Sequence, residues 1–368
     1  MTVNESARAH LGPEVAEIVI DPNTSRSYSR DELLGQGACG KCYKMTDLAS
    51  GDTFAVKVIP LYSWGLDEVC EEVEILKKLR HKNVVGFSHS FEDDQFMYIF
   101  MELCSRQTLA DILKARGTLT DPEVRYYIQQ LISGLKYIHQ QGYVHRDIKL
   151  DNLFVNEKMQ LKIGDFGLAV KLKLREKDIC GTPPYMAPEV WKREGCGTEA
   201  EVWALGCVMY QLLVGEMPFY HDDYLEMIKD IKGAKYILPQ NLSVAAGKLI
   251  KKIFQINPRD RPSLHKIRRH KFFTKGFTPK KLPPSSCYTE PQVEAVKNSI
   301  MKFFNRLVQR LFHRKRSRVE PSREDPMHSS ILVPLVPQLV ESSVVVQNSD
   351  IQMSNLTWLS WSQWLRDL

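Results

Sequence analysis

The 368-residue chain is predicted to be an α+β protein in which a small strand-rich part precedes a larger helical part. Three observations predict this. From Tyr28 to about Glu102 the apolar residues form short or alternating runs, such as "DTFAVKVIP" and "QFMYIFMEL", as strands do. One helical stretch, near 67–80, interrupts them. From Thr108 onward apolar residues recur three or four apart, the helical period.

Residues 1–27 are polar, carry Pro13 and Pro22 and show little periodicity, so they read as a flexible leader. The clearest helix takes Asp121 as N-cap and Pro122 at its first position. It continues on one face through Tyr127, Leu131, Leu135 and Ile138, and stops near Gly142. Residues 274–295, which include "TPKKLPPSSCYTEP", read as a linker. Residues 296–368 change character again, and no internal repeat is visible.

Composition excludes several classes. With 43% hydrophobic and 26% charged residues the chain is of ordinary globular type. No apolar run reaches the ~18 residues of a membrane span, and "MTVNESARAH" lacks a signal-peptide core. The eight cysteines are scattered and read as reduced thiols of a protein in the cytoplasm or nucleus, not as a disulfide or zinc framework. A net charge of +6 does not by itself indicate nucleic acid, and no specific nucleic-acid partner is expected.

"LGQGACGKC" places Gly35, Gly37 and Gly40 in GxGxxG order. Alone the string fits a plain hairpin turn as well as a phosphate loop. A strand follows it, "KCYKMTD", with no helix and no βαβ unit, so a dinucleotide enzyme is rejected. Glycines let backbone N–H groups approach phosphate oxygens without Cβ obstruction. "FAVKV" sets Lys57 in an otherwise apolar strand, where a lysine needs an anionic partner. Of three nearby glutamates, Glu72 shares a helix face with Leu76 and Leu79 and points inward, whereas Glu71 and Glu74 point elsewhere. "YVHRDIKLDNLF" supplies Asp147 to accept a hydroxyl proton, Lys149 to neutralise phosphate charge and Asn152 as a metal ligand. "IGDFGLA" adds Asp165 for Mg²⁺ with Phe166 beside it, and "APE" follows at 187–189. Phosphoryl transfer needs charge held in place around a metal-bound triphosphate, which accounts for two carboxylates, an amide and two lysines in this set.

These motifs, in this order, resemble the eukaryotic protein kinases over residues 28–273, with a strand-rich N-lobe at 28–104 and a helical C-lobe at 105–273. Lys149 and Thr182 match the serine/threonine pattern, and Arg261 would pair with Glu189. Within kinases the chain most resembles the Polo-like family, through "VVGFSHSFEDD", "LFVNEKMQLKIGDFGLA", "CGTPPYMAPEV" and "FFTKGFTPKKLPPSSC". The resemblance implies ATP and Mg²⁺, protein substrates with Ser or Thr in acidic contexts, and a role in cell division or stress response. It further implies that Leu34 and Ala55 line the nucleotide pocket, that Cys42 covers the adenine from above and Phe154 from below, that Met101 is the gatekeeper, and that Glu102 and Cys104 offer hinge carbonyl and amide groups.

Four positions depart from the pattern. Gly40 stands where the Polo-like family usually has alanine, restoring the general kinase form. The stretch from Lys57 to Glu72 is several residues short, which bears on the Lys57–Glu72 pair. Glu201 replaces the aspartate that normally accepts N–H groups of the HRD loop; it either still accepts them or shifts Asp147, and a ~1 Å misplacement costs ~100-fold in rate. Between Gly167 and Gly181 there is no Ser, Thr or Tyr, and Asp178 stands where the family's activating Thr sits. Asp178 is expected to pair with Arg146 and order the segment without an upstream kinase, with Arg175 and Lys177 competing for its charge. A pseudokinase scaffold is the alternative.

The 78 residues after residue 290 are too few for the two polo boxes of that family, and they resemble neither. "NSIMKFFNRLVQRLFHRKRSR" reads as a basic amphipathic helix, with eight Lys or Arg and no acidic residue over 297–318. Such a helix suits an anionic membrane surface or a calmodulin-like groove, and "HRKRSR" a nuclear import signal. Trp358, Trp361 and Trp364 mark a second partner or interface segment.

Overall fold

A computed structural model describes residues 14–37, 40–61, 66–105, 107–174 and 177–291. The first part is an antiparallel sheet with α1 (Leu66–Lys78) beside it. Its strands are β1 (Ile18–Ile20), β2 (Ser27–Gly37), β3 (Gly40–Asp47), β4 (Thr53–Pro60), β5 (Phe87–Glu92) and β6 (Phe96–Glu102), in the order β1-β2-β3-β4-β6-β5. Strand alternation sends Tyr28, Met45, Val56 and Phe100 into one apolar cluster, and each of these is fully buried. Because β4 pairs with β6 from Phe54–Glu102 to Pro60–Phe96, Lys57 is held at the centre of the sheet.

The expected leader is shorter than 27 residues. Val15 and Val19 enter the sheet core, β1 pairs with β2 (Val19 opposite Tyr28), and Asp21 accepts from Thr24 Oγ1 at 2.6 Å to close the turn between them. A three-residue strand is too short to register as periodicity.

The second part is built from α2 (Leu109–Arg116), α3 (Asp121–Gln140), α4 (Pro188–Trp191), α5 (Thr198–Val214), α6 (Tyr224–Gly233) and α7 (Val244–Ile253). Short pairs β7 (Tyr143–Val144) with β10 (Val170–Lys171), and β8 (Leu153–Val155) with β9 (Leu161–Ile163), lie among them. The N-cap of α3 is Thr120, one residue before the expected Asp121: the Thr120 N–H donates to Glu123 Oε2 at 2.9 Å, a capping box that overrides the Asp-Pro signal. α3 ends at Gln140, and Gly142 turns the chain at φ 82°. α5 is buried on nearly all sides, from Ala200 through Leu212, and forms the central post of this part.

The stretch 278–291, expected as a linker, is packed. Arg116 donates to the Ser286 carbonyl at 2.6 Å and Arg125 to the carbonyls of Phe272 and Phe277 at 2.8 and 2.7 Å. Leu282 and Cys287 are fully buried. The prolines that suggested a linker instead hold a strap with one 3-10 turn, Pro284–Cys287, and its Ser286 carbonyl and the Phe277 carbonyl just before it satisfy two buried guanidinium groups. The expected amphipathic and Trp-rich tail, with its partner and import signals, lies outside the described residues, as does Arg175. Among the described residues no helix is long and apolar enough to cross a membrane.

Candidate active site

β2 and β3 form the glycine hairpin, with Gly35 opposite Cys42 and Gly37 opposite Gly40. A Cβ at Gly40 would lie 2.3 Å from the Val58 carbonyl oxygen, so no side chain fits there without moving β4. At Gly35 a Cβ would meet nothing within 4 Å, so the hairpin leaves open space, with Leu34 exposed at its rim. Cys42 is directly opposite Lys57 across β3 and β4, and Lys44 opposite Ala55. Burial pushes the Cys42 thiol up to about 11, so it is a neutral apolar contact at physiological pH. Cys39 and Cys42 stand in CxxC spacing, a pair apart from the other six cysteines; Cys39 lies outside the described residues, and among those described no cluster of three His, Cys, Asp or Glu could hold a metal.

The short stretch after Lys57 does not separate it from α1. Lys57 Nζ donates to both oxygens of Glu72, each at 2.8 Å, and to Asp165 Oδ1 at 3.2 Å. Burial raises the Glu72 carboxyl above its ordinary value despite the lysine beside it, whereas Lys57 holds the Asp165 carboxyl below its own. One ammonium thus fixes a helix carboxylate and a loop carboxylate that are far apart in sequence. Phe166 is buried and meets the His145 ring edge-on at 4.8 Å, and Asp165 itself sits at φ 58°, which turns its carboxylate toward Lys57.

Asp147 is the centre of a second knot. Its Oδ1 accepts from the Thr182 N–H at 2.9 Å and from Thr182 Oγ1 at 2.7 Å. Its Oδ2 meets Lys149 Nζ at 2.9 Å and accepts from Asn152 Nδ2 at 3.0 Å. Lys149 also reaches Thr182 Oγ1 at 2.8 Å. Burial acts against the Lys149 charge, but Asp147 outweighs it and the ammonium pKa rises. The two knots are joined through the backbone, because the Asn152 carbonyl accepts from the Gly164 N–H at 3.0 Å, one residue before Asp165.

Glu201 retains the acceptor role expected of a shorter aspartate. Its Oε1 accepts from the N–H groups of His145 and, at 3.0 Å, Arg146, while its Oε2 pairs with His139 Nε2. Burial raises the Glu201 carboxyl, yet His139 and the HRD-loop N–H groups bring it below its ordinary value. The extra methylene is thus accommodated by a histidine from α3 that sequence reasoning did not single out; "YIHQQGYVHRD" has a second His six residues before the HRD His, and only the fold shows its partner. Arg146, at φ 68°, donates to Asp178 Oδ1 and Oδ2 at 3.0 and 3.3 Å, as the sequence suggested, and through Nε to the Leu168 carbonyl at 2.6 Å.

At the hinge, burial pushes the Cys104 thiol up to about 12. The Phe154 ring lies under Gly164, where an added Cβ would come within 2.8 Å of it. Further out, Glu189 and Arg261 form a doubly bonded buried ion pair at 2.6 and 2.7 Å, tying α4 to the segment after α7. The sequence also gave no notice of Lys162, a buried lysine in β9 that meets Glu102 at 2.7 Å.

A protein kinase domain profile matches residues 28–273. The chain is 44% identical over 330 residues to mouse serine/threonine-protein kinase PLK2, covering 88% of this chain and 48% of that protein. It is 44% identical over 284 residues to mouse inactive serine/threonine-protein kinase PLK5, covering 75% and 48%. It is 43% identical over 285 residues to Xenopus laevis serine/threonine-protein kinase PLK1, covering 76% and 48%. The chain spans about half the length of these curated relatives. With a strand-rich lobe, a helical lobe and the site between them, the chain belongs to the protein kinase family and carries a Polo-like kinase domain.

Proposed function

We propose that the protein transfers the γ-phosphoryl group of ATP to Ser or Thr hydroxyls of protein substrates in acidic contexts. One observation carries this reading: Lys57 holds Glu72 and Asp165 together while Asp147 and Lys149 converge on Thr182, and hydrogen bonds through Asn152 and Gly164 link the two groups. The donor set suits Mg²⁺, which takes few protein oxygens and keeps phosphate and water ligands: one carboxylate, Asp165, and one side-chain amide, Asn152, are offered. The metal, when bound, neutralises phosphate charge as it passes to the leaving group.

The remaining chemistry belongs to the chain. The acceptor oxygen forms a bond to the γ-phosphorus as the bond from phosphorus to the β–γ bridging oxygen breaks; ADP leaves and the hydroxyl proton passes to Asp147. Lys149, charged beside Asp147, stabilises the transferring group. Thr182 orients Asp147 by accepting nothing from it and donating twice. Asp178, paired with Arg146, holds the activation segment in place of a phosphothreonine, which would bring about −1.5 to −2 charge. A role in cell-cycle or stress signalling, in cytoplasm or nucleus, accompanies this reading. Residues 297–318 would add contact with an anionic membrane surface or a calmodulin-like groove, on sequence pattern alone.

A pseudokinase scaffold is the second reading, favoured by the similarity to a relative described as inactive; Glu201, which still accepts from the HRD-loop N–H groups, does not add to it. The full chain is incubated with Mg·ATP and casein beside Asp165→Ala. Transfer by the wild type that Asp165→Ala abolishes supports the enzyme; no transfer by either supports the scaffold. Glu201→Asp in the same assay reports whether that residue limits the rate.

A further inference from the structure

β9 reads "LKI", and its Leu161 and Ile163 are fully buried. Lys162 between them is only 7% exposed, a burial that charged lysines tolerate when paired. Its Nζ lies 2.7 Å from Glu102 Oε2. The same oxygen accepts from the Gly86 N–H at 3.3 Å, and the Glu102 N–H donates to the Gly86 carbonyl at 2.8 Å. A Cβ at Gly86 would stand 3.4 Å from that oxygen, in van der Waals contact, so the Glu102 carboxylate lies close against the Gly86 backbone.

Three segments therefore meet at one carboxylate. Glu102 is the last residue of β6 and opens the hinge; Gly86 leads into β5; Lys162 stands three residues before Asp165. β9 is itself immobilised from the other side. The Val85 N–H donates to the Ile163 carbonyl at 2.9 Å, and the Ile163 N–H to the Asn83 carbonyl at 3.0 Å. Asn83 Nδ2 donates to the Leu161 carbonyl at 2.9 Å, and the Leu161 N–H to Gln130 Oε1 at 3.1 Å. With one partner fixed, any shift of the hinge must stretch the ion pair.

We propose that Lys162 and Glu102 are positioning residues: their ion pair fixes the adenine-facing backbone of residues 102–104 relative to the strand that leads into Asp165. The inference rests on the nucleotide-binding reading above and assigns to it the pair that sets the spacing between base and triphosphate sites. Neither side chain touches the transferring group, so the pair acts on nucleotide affinity and not on the chemical step.

The test compares the wild-type full chain with Lys162→Met, Lys162→Arg and Glu102→Gln. Lys162→Met keeps side-chain volume near constant and removes the charge. KM for ATP is expected to rise about 5- to 10-fold with kcat nearly unchanged, a coupling of the size one ion pair supplies. Backbone amides of 103–105 should exchange hydrogen faster, and Lys162→Arg should restore both properties. Glu102→Gln gives the same directions if Lys162→Met fails to fold. Wild-type ATP affinity and hinge exchange in Lys162→Met and Glu102→Gln would overturn the clamp. Hydrogen exchange does not need turnover, so a protein that transfers no phosphate fails the kinase reading and still reports on the pair.

Discussion

Arg146 grips Asp178 with one guanidinium nitrogen placed between the two carboxylate oxygens, at 3.0 and 3.3 Å. Arg146 immediately precedes Asp147, so the pair connects the catalytic loop to the activation segment. Asp178 is half exposed, and an ion pair open to water contributes ~0.2–1 kcal/mol. Asp178→Ala is therefore expected to slow transfer about 2- to 5-fold, and Asp178→Glu to hold it near wild type. In about 0.5 M salt, where the Debye length falls below ~8 Å, the difference between wild type and Asp178→Ala should narrow. Equal rates for wild type and Asp178→Ala at low salt would show that packing alone orders the segment.

Glu201 is expected to be essential as an anion and forgiving in length. Asp at this position still accepts from the HRD-loop N–H groups but retreats from His139, so Glu201→Asp should keep activity within about 3-fold. Glu201→Gln presents an amide to a cavity full of donors and should cost ~3–5 kcal/mol of stability, read as a lower unfolding midpoint. The pH dependence has a definite sign. The folded-state pKa lies below the ordinary 4.5, so the contribution is fully present above about pH 4.5 and is lost as pH falls through the folded value. Wild type should therefore lose more stability than Glu201→Gln on acidification below pH 4.5.

The catalytic residues were legible because phosphoryl transfer demands particular side chains at short fixed spacings, and "HRDIKLDN" and "DFG" each span a single loop. Glu72 was legible for another reason: α1 has one apolar face, and only one of three glutamates shares it. What stayed illegible depends on contacts made across the fold. Thr120 displaced Asp121 as the cap because Glu123, three residues on, also receives Arg116. The strap at 278–291 reads as a linker because its buried side chains, Leu282 and Cys287, follow no helical or strand period, and the Ser286 carbonyl that Arg116 reaches carries no side-chain signature. His139 and Lys162 have partners 62 and 60 residues away in sequence, and no local pattern announces either pair.

Thr182 donates through both its N–H and its hydroxyl to Asp147, and its hydroxyl receives Lys149. Removing the hydroxyl leaves Asp147 Oδ1 on the single N–H of residue 182, loosening its orientation beside the Asn152 and Lys149 contacts at Oδ2. Thr182→Ala is expected to lower kcat about 10- to 100-fold with KM for ATP unchanged, because nothing in the hinge or glycine hairpin moves. Thr182→Ser retains the hydroxyl and should recover most of the loss. A matching fall in Thr182→Ser would assign the effect to the methyl group and to packing.

Leu282 tests whether the strap is part of the folded unit. It is 1% exposed, on a segment whose neighbours Ser286 and Phe277 supply carbonyls to Arg116 and Arg125. Truncating it leaves a cavity that stiff proline-rich backbone on one side and helices on the other can fill only in part. Leu282→Ala is accordingly expected to cost ~2–4 kcal/mol, seen as a lower urea midpoint at unchanged slope. A freely moving linker would give no change at all. The strap also joins α2, which follows the hinge, to the end of the helical lobe. Leu282→Ala should therefore speed hydrogen exchange in 109–116 before it affects β2–β4, and equal acceleration in both would mean that the strap stabilises the protein only globally.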